Sequence, residues 1–177
     1  MPLIHTKAAA GKAGQEDELI EELARELVAE ANADQPVVQP FILEQTMRAS
    51  NALHVAVVWE KWRLIHAGGR GSVIMKAYEI AAKDRVDLIT IAMGVTTEEA
   101  IDLGLLPYGI ETTVRKDGDV TVEQIRTWMK EEGAMATPSG LLLRLPNCEL
   151  AKSAYDRLVR KSSPNHWALV QTDLPDG

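Results

Sequence analysis

Residues 53–59, Leu53-His54-Val55-Ala56-Val57-Val58-Trp59, alternate as a strand with one buried face must. Successive strand side chains point to opposite faces, so Leu53, Val55, Val57 and Trp59 share one side and His54, Ala56 and Val58 the other. The first set is larger and wholly apolar, which makes it the expected core face. N-terminal to this strand, residues 16–31 carry Leu19, Ile20, Leu23, Leu27 and Val28 at three- and four-residue spacing. That period predicts an amphipathic helix, and Glu16, Asp17 and Glu18 occupy its first turn, where the helix dipole favours anions. Residues 1–14 are small and aperiodic and read as a flexible tail. Residues 37–46 read as a strand that Pro40 confines to a sheet edge, since proline has no N–H to give to a ladder.

C-terminal to it, Ala67-Gly68-Gly69-Arg70-Gly71 reads as a flexible loop, and Ser72 opens a helix to about Ala82 with Val73, Ile74, Ala77, Tyr78 and Ala81 inward. Residues 86–93 form the next expected strand. Thr96 with Glu99 predicts a capping box for a short helix that Gly104 ends. The rest repeats the alternation. A strand runs through Ile110 and Thr112 to Val114, Asp117-Gly118 turns, and Thr121 with Gln124 caps a helix with Val122, Ile125, Trp128 and Met129 inward. Leu141-Leu142-Leu143 reads as a central strand, Asn147 caps a helix to about Lys161, Pro164 stops it, and residues 167–172 form the last strand. Strand–helix–strand order with short links predicts right-handed crossovers between parallel strands.

The chain has 177 residues, of which 46% are hydrophobic and 25% charged, as in ordinary globular proteins. Its 19 basic and 26 acidic residues leave a net charge of -7, which excludes a protein that coats nucleic acid with its whole surface. Between Glu16 and Glu30, seven carboxylates stand against Arg25 alone, so most of the excess sits on the first helix. One cysteine, Cys148, excludes an internal disulfide and a multi-thiolate metal site and fits a reducing compartment. No apolar run approaches the roughly 18 residues of a membrane span, and no signal-peptide core is evident. A cytoplasmic protein with no membrane partner is expected.

The opening helix, the 53–58 strand, the helix start around Arg70, and Ile89-Thr90-Ile91-Ala92-Met93 followed by Thr97-Glu98-Glu99 resemble the BolA family, whose domain is KH-like. The likeness spans about residues 16–103. It implies an α-β-β-α-β unit. It also implies a fold without the family's iron–sulfur role, because Met93 stands where that family carries a ligating histidine, and a thioether substitutes poorly for imidazole. Gly68-Gly69-Arg70-Gly71 with Ile74 resembles the Gly-x-x-Gly-x-x-Ile loop of KH domains, in which bare backbone approaches nucleic-acid phosphates. From Glu60 to Arg85 six cations face three carboxylates, a local sign opposite to that of the chain.

The expected fold is thus α/β: a tail (1–14), a KH/BolA-like α-β-β-α-β unit (15–104) and a βαβαβ unit (105–177). No catalytic residue, cofactor or metal site is predicted: the four histidines lack ligand spacing, and Cys148 has no histidine partner evident in the sequence. The leading expectation is a non-enzymatic binding or assembly protein, acting on a protein partner or on itself through its sheets and a surface bearing Trp59 and Trp62. The alternative is RNA binding by Gly68, Gly69, Arg70 and Gly71 with Lys61, Arg63 and Lys76. A small enzyme of unknown reaction ranks last.

Overall fold

A computed structural model describes residues 13–29, 35, 36, 38–112, 120–133, 135–137 and 140–171. The expectations for residues 1–12, for the Asp117-Gly118 turn and for Thr172 lie outside them. The chain is α/β and divides into two units: residues 42–96 with the first helix form one, and residues 97–171 with the described part of 35–41 form the other. The boundary therefore falls at Thr96/Thr97 rather than after Gly104. Gln39 Nε2 donates to Thr97 Oγ1 at 2.7 Å, which ties the segment ahead of the first strand to the start of the second unit. No helix among the described residues is long and apolar enough to cross a membrane.

The first unit runs α1 (Ala13–Val28), β1 (Phe41–Met47), β2 (Ala52–Val58), α2 (Ala67–Ala81) and β3 (Ile89–Val95), with 3-10 turns at Glu60–Leu64 and Lys83–Leu88. Its sheet has the order β1-β2-β3, so β1 is an edge strand, but it begins at Phe41 and not at residue 37, so Pro40 precedes the strand and is not what confines it to the edge. β2 and β3 are parallel, in register from His54 opposite Ile91 to Val58 opposite Val95, after an irregularity between Leu53 and His54. One face carries both helices. Leu19, Ile20, Leu23 and Ala24 of α1 meet Val73, Ile74, Ala77 and Tyr78 of α2 over Leu53, Val55 and Val57. Val28 departs from the expected stripe and is exposed.

Two expectations fail here for one reason, which is close packing. Residues 67–71 are the first turn of α2 rather than a loop. His66, a residue outside the usual capping set, accepts from Gly68 N–H on Nδ1 at 3.2 Å and starts the helix. Gly71 is demanded by approach and not by flexibility, since a Cβ there would sit 3.0 Å from the Ala92 carbonyl oxygen of β3. Gly94 on β3 is tighter still: its Cβ would lie 2.8 Å from both the Trp62 ring and Arg70 Cβ. Trp59 and Trp62, expected on an interaction surface, are core residues. Trp62 is fully buried, donates Nε1–H to Val57 O at 2.8 Å, and meets Trp59 edge-on with ring centres 5.5 Å apart. The strand expected from residue 86 begins at Ile89 because 83–88 coil into the 3-10 turn.

The second unit runs α3 (Thr97–Asp102), β4 (Tyr108–Thr112), α4 (Val122–Glu131), β5 (Met135–Thr137), β6 (Gly140–Leu145), α5 (Cys148–Lys161), a 3-10 turn (Pro164–His166) and β7 (Trp167–Gln171). Gly104, with φ 68°, follows α3 in the left-handed conformation expected of a helix stop. The Thr121/Gln124 capping box forms in both directions, and Asn147 caps α5. Ile125, Met129, Ala151, Ala154 and Leu158 bury the helix faces against Ile110, Leu143 and Leu145, whereas Val122 is exposed.

The expected parallel neighbours do not occur. The sheet order is β5-β6-β4-β7, and the paired strands β5/β6, β6/β4 and β4/β7 are all antiparallel. The short β5, absent from the sequence reading, pairs antiparallel with β6, the next strand in the chain. Each helix still joins strands that run the same way, β4 to β5 and β6 to β7, but another strand lies between each pair. This is the split β-α-β-β-α-β arrangement. α4 and α5 are further joined by a buried ion pair: Arg157 places Nε 3.0 Å and Nη2 2.9 Å from Glu132 Oε2.

Candidate functional site

Strand alternation gives the first sheet a second face, away from α1 and α2. On β1, Ile42 packs toward the core and Glu44 accepts from Tyr78 of α2, so Leu43, Gln45 and Met47 point the other way. On β2 the same logic places His54, Ala56 and Val58 there, and the parallel register sets Ile91, Met93 and Val95 of β3 beside them. Val58 and Val95, at one end, are buried. Ile91, Met93 and Met47 are respectively 48%, 36% and 37% exposed. Aliphatic and thioether side chains thus lie side by side in water, with Gln45 and His54 the polar members and no formal charge at any of these positions. A contiguous apolar patch of this kind marks an interaction surface, whereas scattered exposed apolar residues do not.

At the other end of this face is a surface pocket of about 410 Å³, lined in part by Met47, Ser50, Asn51, His54, Asp87 and Thr90. Asn51 sits at φ 53°, the left-handed conformation that asparagine tolerates, and closes the turn between β1 and β2. Ser50 Oγ accepts from Ala52 N–H at 3.4 Å in the same turn. The pocket offers a hydroxyl, an imidazole and a carboxylate around apolar walls, suited to seating a polar side chain at the rim of an apolar contact.

The residues expected to bind RNA do not converge. Gly68 and Gly69 lie in the first turn of α2, with Gly68 N–H already taken by His66. Arg70 is buried: Nη1 donates to Gly94 O at 3.1 Å and Nε to Ile65 O at 3.4 Å. Gly71 faces β3. Lys61 reaches Glu22 at 2.6 Å and lies over the Trp59 ring at 5.3 Å, and Arg63 pairs with Glu60. Arg85, counted in the local positive excess, pairs with Glu44. Lys76 is exposed. Two of the three excess positive charges between residues 60 and 85 are therefore met, in space, by carboxylates of α1 and β1 that are distant in the sequence.

Among the described residues no group of three His, Cys, Asp or Glu side chains is placed to hold a metal. Cys148 is half-buried at the first residue of α5, His66 is the α2 cap, and His166 is buried with no hydrogen-bond partner on Nδ1. Glu44 receives hydrogen bonds from Tyr78 Oη and from Arg85. Burial first, then the hydrogen bond and the charge of Glu44, hold the Tyr78 phenol well above its ordinary range, against an opposing pull from Arg85. This network braces β1 against α2 and faces away from the open side of the sheet.

Ile91, Met93 and Met47 are the functional candidates that periodicity could have found. The pattern that assigned 53, 55 and 57 inward assigns 54, 56 and 58 outward, and pairing β3 to β2 adds 91 and 93. What was missing was the knowledge that both helices cover the same face. Comparison with protein-family models, with curated proteins and with solved structures gives no match to this chain.

Proposed function

We propose that the protein is a non-enzymatic assembly protein, which associates with a second copy of itself through the open face of the β1-β2-β3 sheet. The observation that supports this is the exposed row of Met47, Ile91 and Met93 beside Ala56 and His54. Charge favours self-pairing by this route over others. Each chain carries -7, so two copies repel wherever acidic surfaces meet. The strand positions of the open face carry no formal charge, with Asp87 only at its end, and the acidic α1 lies on the other side of its own sheet. Pairing these faces buries apolar surface and keeps the two α1 helices apart, and a twofold contact of this kind is self-complementary.

The RNA-binding alternative has less support. The exposed residues of the open face include no Phe, Tyr, Trp, Lys or Arg with which to stack bases or neutralise phosphates, since Phe41, which alternation places there, is buried, and the Gly68–Gly71 segment is helical with Arg70 buried. Sedimentation velocity over a wide concentration range tests the proposal, with an Ile91→Glu/Met93→Glu variant alongside and circular dichroism to check that both are folded. The wild type is expected to sediment as a dimer that dissociates on dilution, and the variant as a monomer at every concentration. A wild type that is monomeric throughout, or a folded variant that dimerises equally well, overturns it.

A further inference from the structure

We propose that a groove on the helical side of the first unit, between α1 and α2, docks a basic amphipathic helix of a protein partner. The groove measures about 450 Å³ and is lined by Glu21, Ala24, Arg25 and Val28 of α1 and Ile80 and Ala81 of α2. Ala24 is buried and Ala81 half-buried, so small side chains form its floor. Val28 and Ile80, one from each helix, are both 65% exposed. Two β-branched aliphatic side chains left in water on either side of an alanine-floored groove provide the complement of a partner helix with apolar residues three and four apart.

Charge decides which helix fits. α1 carries six carboxylates against Arg25. Arg25 turns back along its own helix, with Nε 3.4 Å from the Glu21 carbonyl oxygen. Asp17, Glu18, Glu21 and Glu26 are exposed, while Glu22 is engaged by Lys61. On the other flank, exposed Lys76 and Lys83 are balanced by Glu79 and Asp84. The field at the groove is therefore that of α1 and is negative. Nucleic acid, anionic lipid, an acidic peptide or the α1 of a second copy is repelled there, and lysine or arginine beside the apolar stripe of a partner helix is attracted. The inference is independent of self-association, which uses the opposite face of the sheet.

The test is fluorescence anisotropy of a labelled helical peptide against the whole 177-residue chain. The peptide has leucines at i, i+3, i+4 and i+7 and lysine or arginine elsewhere, and a control peptide has the same leucines with glutamate elsewhere. Saturable binding of the cationic peptide is expected, at least about tenfold tighter than the control and weakening with salt. A Val28→Ser/Ile80→Ser variant alters two exposed side chains, so it should melt like the wild type and lose about tenfold or more in affinity for the cationic peptide. The Ile91→Glu/Met93→Glu variant should bind that peptide as the wild type does. Unchanged binding by Val28→Ser/Ile80→Ser would show plain attraction to α1 and overturn the groove assignment. Equal binding of the two peptides, or no saturable binding at low salt, overturns the proposal outright.

Discussion

Alanine substitution of four glycines, one at a time, separates two readings of residues 67–71 by the sign of the effect. In a helix, glycine costs backbone entropy, so Gly→Ala should stabilise wherever the new methyl has room. At Gly68 the Cβ would stand 3.5 Å from His66 Nδ1, an ordinary contact, so Gly68→Ala should gain about 0.4–1 kcal/mol. At Gly69 it would touch Ile65 Cγ2 at 3.4 Å, and the gain should be smaller. At Gly71 the same intrinsic gain of about 1 kcal/mol is opposed by the Ala92 carbonyl at 3.0 Å, a backbone atom that moves only if β3 moves. Overpacking of this kind costs about 1–3 kcal/mol, so Gly71→Ala should be neutral to destabilising by about 2 kcal/mol. Gly94→Ala has no helix term to offset it and two clashes at 2.8 Å, one with a fully buried indole, so it should cost about 1–3 kcal/mol or more. Urea denaturation followed by tryptophan fluorescence, with Trp128→Phe and Trp167→Phe in the background so that only Trp59 and Trp62 report, reads these differences from midpoints at constant m. A loop at 67–71 would make Gly68→Ala neutral or harmful. That result would refute the helix assignment, and a Gly71→Ala as stabilising as Gly68→Ala would refute the close approach of α2 to β3.

Arg157→Met should destabilise the second unit by up to about 3–5 kcal/mol, because it leaves the buried Glu132 with only the longer contact to Lys161 Nζ at 3.9 Å, and adding Glu132→Leu should restore much of the loss; urea midpoints for both single variants and the double variant check this. Tyr78 has a folded-state pKa raised above its ordinary value of 10.0, so its protonated form supports folding. That contribution should be fully present below about pH 10 and lost as pH rises further, and Tyr78→Phe should flatten the alkaline limb of a stability-against-pH curve; an unchanged limb would show that another group titrates there.

Much of this protein follows from local rules. The α1 stripe, the 53–59 alternation and the caps at Thr121 and Asn147 depend on spacing and on backbone groups a few residues away, and a linear sequence displays both. The packing of the glycines was not legible in the same way. Gly71 and Gly94 signal flexibility when read alone, and only the meeting of α2, Trp62 and β3 shows that they are places where no Cβ fits. The pairing in the second unit was equally hidden, because a three-residue strand has too few positions to show a period, and inserting it makes every neighbouring pair antiparallel. Charge was misread for the same reason. The positive excess between residues 60 and 85 is real in the sequence, but Glu22 and Glu44, distant along the chain, neutralise Lys61 and Arg85 in space. By itself the sequence determined which residues could be helix, strand or core, because those choices are made by nearest neighbours and by periodicity. Tertiary structure alone decided which apolar residues were left in water, because whether Ile91, Met93, Val28 and Ile80 are covered depends on which side of a sheet the helices take.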